Sequence, residues 1–365
     1  MPFFNRQARA ALALSVVASL ALLSACSGGQ PAGPGGGAGG GVRLQGAGAT
    51  FPNPLYQKWL SEYGKVNAGA RIDYQSVGSG TGIKQISEQT IDFGASDKPM
   101  SDDELKGARG GEILHIPTTL GAVVLTYNLP GVAQPLRFSP NVVADIFLGK
   151  IKRWDDAAIR ADNPGVALPA ADITTVHRSD GSGTTAVFTE YLSKVSPEFK
   201  EQVSTGTTVK FPGGIGGKGN EGVTGQVKNT PNTIGYVELA YAKQNNLPAA
   251  LIKNKSGNFV EPSLDAVTAA AAESVATTPD DLRVSVTDAA GASAYPIASY
   301  TYILVYKNQP DAAKGKTLVD FLWWATHDGT QYAAPLHYAP LPQELVKRVE
   351  AKLNSITSGG KPLRS

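Results

Sequence analysis

Three times in this chain a small Gly/Ser/Thr-rich loop runs straight into an amphipathic helical pattern. The first is Gly46-Ala47-Gly48-Ala49-Thr50-Phe51-Pro52, before a helix at residue 53. The second is Val77-Gly78-Ser79-Gly80-Thr81-Gly82, before Ile83-Lys84-Gln85-Ile86. The third is Asp180-Gly181-Ser182-Gly183-Thr184, before a pattern that continues to Val195. A helix start leaves N–H groups without intrahelical partners and carries roughly half a positive charge. Glycine lets the backbone approach a ligand closely. The hydroxyls of Thr50, Ser79, Ser182 and Thr184 either cap their helices or donate to an anion. One such loop is ordinary capping, but three point to an oxyanion site.

Other chemistry fits these residues less well. The phosphate-loop pattern G-x-x-x-x-G-K-[ST] fails at Gly217-Lys218, because Pro212 and Gly219 occupy its two ends. Gly78–Gly82 is not a dinucleotide fingerprint, since Ile83 holds the final glycine position. Ser182 has His177 and Asp180 nearby, but Asp180 replaces the first glycine of the nucleophile elbow G-x-S-x-G. Triad partners also usually come from separate loops. The four histidines, His115, His177, His327 and His337, form no H-x-x-x-H pair, and there is one Cys. No metal cluster or disulfide framework is expected.

The elements that must carry the loops alternate strand and helix, an α/β signature. Strands are predicted over Arg71–Val77, Ile91–Ala95, Ile113–Pro117, Ala122–Asn128, Ile173–His177, Thr233–Val237 and Tyr300–Tyr306. Helices are predicted over 53–63, 184–195, 139–149, 153–160, 266–276, 314–327 and 342–353. Leu55, Tyr56, Trp59, Leu60 and Tyr63 share one face of the first of them. No fixed-period repeat is visible.

The N-terminus reads as an export signal. Arg6 and Arg9 precede an apolar run, Ala10 to Leu23, shorter than the ~20 residues of a membrane span. The run ends in Leu23-Ser24-Ala25-Cys26, which matches the bacterial lipobox, with cleavage before Cys26 and diacylglycerol on its sulfur. Residues 27–41 are mostly Gly, Pro, Ser and Ala, a flexible tether. The whole chain of 365 residues has formal charge +2, with 42% hydrophobic and 18% charged residues. Removing residues 1–25 takes away two Arg and no acid, so the mature side chains balance. Phosphate-backbone binding needs a basic excess, so nucleic acid is not an expected partner.

The residues resemble a known family, the PstS phosphate-binding receptors of high-affinity phosphate ABC transporters. The matching strings, in family order, are Gly46–Pro52, Ile91-Asp92-Phe93-Gly94-Ala95-Ser96-Asp97, Ile146–Trp154, Arg178–Thr184, Gly216-Gly217-Lys218-Gly219-Asn220 and Ile234–Glu238. They span about residues 44–355. The resemblance implies a periplasmic-binding-protein fold (type II-like), two α/β lobes joined by crossing hinge strands with the ligand in the cleft. It places residues 44–117 and 302–355 in lobe 1 and 122–296 in lobe 2. The crossings are expected at 118–121 and 297–301. The implied phosphate ligands are Thr50, Phe51, Ser79, Asp97, Arg178, Ser182, Gly183 and Thr184, with Asp180 supporting Arg178. The second loop departs from some relatives, which carry serine where Gly80 stands. Segment 213–219 matches a family loop to which no ligand role is assigned.

The implied site suits phosphate. An ionised Asp97 is an acceptor only. It takes a hydrogen bond from the P–O–H of phosphate and repels sulfate, which has no proton. Arg178 would supply the one full positive charge, its planar fork oriented by Asp180. The implied partners are inorganic phosphate, membrane permease subunits, an ATPase and the lipid anchor. The protein is expected to be a cofactor-free monomer, displayed at the outer face of the cytoplasmic membrane or in the periplasm. Two alternatives stand beside this: the same fold tuned to sulfate or molybdate, and a secreted phosphatase. A sensor or adhesin using the same fold is a third, which the lipobox does not separate from a transporter subunit.

Overall fold

The computed structural model describes residues 41–132 and 134–364. The export signal, Cys26 and the tether up to residue 40 lie outside the described residues.

The chain begins with β1 (Val42–Gly48), α1 (Asn53–Val66), β2 (Ala70–Ser76), α2 (Ser79–Ser87), β3 (Phe93–Ser96), α3 (Asp102–Lys106) and β4 (Ile113–Asn128). It continues with β5 (Arg137–Phe138), α4 (Pro140–Phe147), α5 (Ala157–Asp162), β6 (Thr174–Arg178), α6 (Gly183–Val195) and α7 (Pro197–Gln202). Next come β7 (Ile215–Gly217), α8 (Gly219–Asn229), β8 (Thr233–Glu238), α9 (Leu239–Gln244), β9 (Leu251–Lys253), β10 (Phe259–Val260) and α10 (Leu264–Ala272). It closes through β11 (Ala298–Tyr306), α11 (Ala312–Thr326) and α12 (Gln343–Asn354).

The main sheet has the order β2-β1-β3-β11-β4-β8-β6-β7. It holds two parallel groups: β1 pairs in parallel with β2 and β3, and β6 pairs in parallel with β7 and β8. The antiparallel strands β11 and β4 join them. The first half of β4 pairs with β11, and the second half with β8. One long strand thus belongs to both halves of a two-lobed α/β fold of the periplasmic-binding-protein kind.

β4 is one continuous strand where the sequence predicts two, Ile113–Pro117 and Ala122–Asn128. Thr118–Gly121 continue the strand, and only Asn128 of its sixteen residues is not buried. A strand covered on both faces reads as near-continuous apolar sequence, so Pro117 and Gly121 look like breaks but are not. The irregularity is a single-residue bulge at Thr118, since Thr301 of β11 pairs with Thr119 and the next residue, Tyr302, with Pro117. β1 extends into the Gly-rich string, whose Gly46, Ala47 and Gly48 are its last residues and not loop.

The helices follow their apolar faces. α1 buries Leu55, Tyr56, Trp59 and Tyr63, the residues that its spacing singles out. Phe321, Leu322 and Trp324 of α11 are buried in the same way, so this greasy cluster is a helix face in the core. Burying aromatic side chains of this size is among the largest stabilising contributions per residue.

Candidate functional site

The three loops of the sequence reading meet. Each follows the carboxyl end of a parallel strand: β1 leads to Thr50 and α1, β2 to Ser79 and α2, and β6 to Arg178 and α6. β3 ends at Ser96, directly before Asp97, and β7 leads into α8. Ligands of open α/β sheets bind at such strand ends. Four helix starts therefore converge, and their dipoles favour negative charge there. Gly80 N–H donates to Gly181 O at 2.9 Å, which ties the second loop to the third.

The expected ligand side chains are buried, and Asp180 is partly so. Thr50 and Asp97 are each 2% exposed, Arg178 is 7%, and Ser79, Ser182 and Thr184 are fully covered. The backbone N–H groups of Thr50, Phe51, Gly183 and Thr184 find no acceptor among the described residues. Buried donors are nearly always paired in proteins, so four together mark a place that an acceptor fills. Ser182 Oγ accepts from Thr185 N–H at 3.0 Å and caps α6, so its own proton stays available.

Arg178 closes β6. Its Nε and Nη2 donate to the two carboxylate oxygens of Asp180 at 2.8 and 2.6 Å. This fork fixes the guanidinium plane, and Nη1 faces Thr184 Oγ1 at 3.4 Å. Burial alone would raise the Asp180 pKa, but its bonds to Arg178 and to Gly219 N–H hold it below the ordinary value. Asp180 therefore stays ionised and orients the cation.

Asp97 is a second carboxylate in the cluster, and Arg178 does not bond it. Thr301 Oγ1 donates to its Oδ1 at 2.8 Å, and Ser79 Oγ lies 3.5 Å from Oδ2. Burial raises its pKa; Thr301, the Arg178 charge and Ser79 pull the other way, leaving it near 7. Gly183 sits directly opposite: a Cβ there would overlap Ser79 Oγ and Asp97 Oδ2. Glycine is required because the third loop packs onto the groups of the first parallel strands.

Two site residues escaped the sequence reading. Asn220, fully buried at the start of α8, donates from Nδ2 to Thr50 Oγ1 at 2.7 Å and Thr184 Oγ1 at 3.1 Å. Its Oδ1 accepts from Glu238 N–H at 2.9 Å. Both threonine oxygens thus act as acceptors toward Asn220, and both hydroxyl protons remain free to donate. Thr301 is the other. Its signal was weak, a threonine in an aromatic strand. The Gly216–Asn220 string did carry a signal, since it matched a family loop. Only the fold puts its asparagine between the first and third loops.

A cavity of about 420 Å³ lies beside this cluster. It sits between Lys98–Met100, the α6 residues Ala186 and Val187, and segment 279–287, and Asp97 is the one residue it shares with the donor cluster. The chemistry belongs to the covered cluster, where the unpaired donors are. Among the described residues there is no group of His, Cys, Asp and Glu able to hold a metal ion. No described helix is long and apolar enough to cross a membrane.

Comparison with known proteins follows from this geometry. The family model described as a PBP superfamily domain matches residues 30–326. The phosphate-binding protein PstS of Xylella fastidiosa (strain 9a5c) is 47% identical over 311 residues, 85% of this chain and 84% of that one. The PstS of Pasteurella multocida (strain Pm70) is 46% identical over 88% of this chain and 93% of its own. Among solved structures, a phosphate-binding protein from Stenotrophomonas maltophilia superposes with TM-score 0.65 at 22% identity, covering 85% of this chain and 93% of that one. An ABC-type phosphate transport receptor from Vibrio cholerae gives TM-score 0.55 at 14% identity, covering 82% and 100%. At those identities the structures speak for the fold, while the sequence relatives speak for the family. A covered cluster of anion donors, on this fold and with these relatives, has one assignment: the chain belongs to the PstS phosphate-binding protein family.

Proposed function

We propose that this protein is an extracytoplasmic receptor that captures inorganic phosphate in its cleft and delivers it to an ABC transporter for import. The observation that carries this reading is the buried set of N–H, hydroxyl and guanidinium donors around Asp97, a carboxylate that Arg178 does not hold. The donors suit any tetrahedral oxyanion. Asp97 suits one that carries a proton. An anion with P–O–H gives Asp97 a hydrogen bond, whereas a fully deprotonated anion meets only its charge. This favours phosphate over the sulfate or molybdate alternative.

In this reading phosphate oxygens accept from Thr50, Phe51, Gly183 and Thr184 N–H groups, from the hydroxyls of Thr50, Ser79, Ser182 and Thr184, and from Arg178. Asp97 accepts the hydrogen bond of the phosphate P–O–H and Asp180 holds Arg178. Residues 44–117 and 302–355 form one lobe, 122–296 the other, and 118–121 and 297–301 cross between them. Phosphate bound from both lobes favours the closed form, because only closure completes its contacts. No step makes or breaks a covalent bond, so the protein is a receptor and not a phosphatase. Cys26 carries the lipid anchor, and residues 27–41 give the receptor reach to the permease subunits that, with their ATPase, take up the phosphate. No cofactor is required, and the receptor acts as a monomer.

Titration calorimetry with phosphate, sulfate and arsenate tests the reading. Phosphate should bind tightly at one site, arsenate should compete, and sulfate should bind far more weakly above pH 7. Saturation by sulfate alone overturns it. Release of phosphate from a phosphomonoester would show turnover and favour the enzyme.

A further inference from the structure

The first loop carries a feature that its ligand role does not explain. Three consecutive carbonyls, those of Ala49, Thr50 and Phe51, each accept a tyrosine hydroxyl at 2.6 Å. The donors come from three distant parts of the chain. Tyr74 lies on β2, Tyr241 on α9, and Tyr338 beyond α11. Tyr338 is fully buried, Tyr241 is 5% exposed and Tyr74 9%.

We propose that Tyr74 and Tyr241 are positioning residues for phosphate, which aim the Thr50 and Phe51 N–H groups into the site by holding the carbonyls of the same peptide units. The inference rests on the phosphate reading above. A trans peptide is planar, with its C=O and N–H pointing in opposite directions, and no peptide bond here is cis. Holding the Ala49 carbonyl against Tyr74 therefore turns Thr50 N–H the other way. Holding the Thr50 carbonyl against Tyr241 does the same for Phe51 N–H. Those are two of the N–H groups without an acceptor.

The supports of the tyrosines are themselves fixed. Tyr74 stacks on Phe93 and packs edge-on against Tyr56. Tyr241 rides on α9, whose start is capped by Glu238 Oε2, which accepts from Ala240 N–H at 2.7 Å. The Tyr241 hydroxyl also lies 2.9 Å from Glu221 Oε1. That carboxylate has other donors, Ser76 Oγ at 3.2 Å and Asn53 Nδ2 at 3.4 Å. The single tyrosine proton faces both acceptors, and the contact to Thr50 O is the shorter of the two.

Tyr338 provides the internal comparison. It holds the Phe51 carbonyl, but the next residue is Pro52, so that peptide has no N–H to aim. Its bond fixes the entry into α1 and not a phosphate donor.

The test is phosphate titration of Tyr74→Phe, Tyr241→Phe, Tyr338→Phe and a control, Tyr306→Phe. The control removes another buried tyrosine bond, to Ile86 O at 2.7 Å, away from the loop. Tyr74→Phe and Tyr241→Phe should each weaken phosphate binding about five- to fifteen-fold. Tyr338→Phe and the control should stay within about threefold, although each loses one hydrogen bond of the same kind. In the phosphate-bound protein, the amide proton of Thr50 should move on Tyr74→Phe and that of Phe51 on Tyr241→Phe. Equal losses for all four variants, or losses that only track melting temperature, overturn the inference. The wild type supplies a measurement that does not depend on a variant folding. The Tyr74 and Tyr241 hydroxyl protons should exchange slowly in NMR spectra, and fast exchange of both overturns the inference. Failure of the wild type to bind phosphate at all overturns the underlying reading instead.

Discussion

The sharpest consequence of the site concerns Asp97→Asn and pH. The wild-type carboxyl titrates near 7, raised chiefly by burial. Phosphate carries a proton of its own through pH 7 to 9, so either partner of the Asp97–phosphate contact can hold it. Sulfate brings none, and an ionised Asp97 must take up a proton before sulfate can sit against it. Above pH 7 that uptake costs about 1.4 kcal/mol per pH unit. At pH 8.5 the cost reaches about 2 kcal/mol, or roughly thirtyfold in affinity. Wild-type sulfate affinity should therefore fall about tenfold per unit above pH 7, while phosphate affinity stays nearly level. The Asn variant has no proton to take up, so its sulfate affinity should be flat and its phosphate preference at pH 8.5 much reduced. Calorimetric titration of both proteins with both anions from pH 6 to 9 measures this directly. Sulfate binding by the wild type that does not change between pH 7 and 9 would refute the reasoning. So would an Asn variant that keeps the wild-type preference. The same shift has a stability signature in the ligand-free protein. The folded state binds the Asp97 proton more tightly than the unfolded state, so stability falls as pH rises from about 4 to about 7. Asp97→Asn should remove that part of the decline in thermal melts.

Other substitutions probe separate parts of the site. Arg178→Lys loses the planar fork to Asp180 and should weaken phosphate and sulfate alike, by about ten- to a hundredfold, without altering their ratio as Asp97→Asn does; competition binding separates the two effects. Gly183→Ala adds a Cβ that overlaps Ser79 and Asp97; phosphate affinity should drop about ten- to a hundredfold with melting little changed, and solution scattering with phosphate should stay at the open dimensions. Asn220→Ala removes two donors to Thr50 and Thr184 and an acceptor for Glu238 N–H. It should cost about 1–3 kcal/mol in stability by denaturant melts, and it should also weaken phosphate binding.

Much of this protein is legible in its residues because the signals are local. The β2, β6 and β8 strands, the α1 face and the α11 core cluster follow from periodicity within a few residues. The loops announce themselves by Gly, Ser and Thr before a helix, since the backbone there needs small side chains and cap oxygens. The Thr50, Ser182 and Thr184 hydroxyls, with their loops, are legible at that level, and the family strings add Asp97, Arg178 and Asp180. What was misread depended on distant neighbours. β4 looked like two strands because Pro117 and Gly121 break strands in isolation, whereas pairing with β11 on one side and β8 on the other carries the strand through. Asn220 is marked only by the family string it closes, and Thr301 only weakly, as a threonine in an aromatic strand. Their roles arise when α8 and β11 reach Thr50 and Asp97, more than 150 residues away in the chain.

Composition and motif alone determined that this is an α/β protein with a charge-balanced body and loops suited to an oxyanion. The tertiary structure decided how those loops select. An N–H group has no direction until its carbonyl is held, and a carboxyl has no unusual pKa until it is buried. Both conditions are set by groups far apart in sequence, so they exist only once the chain has folded.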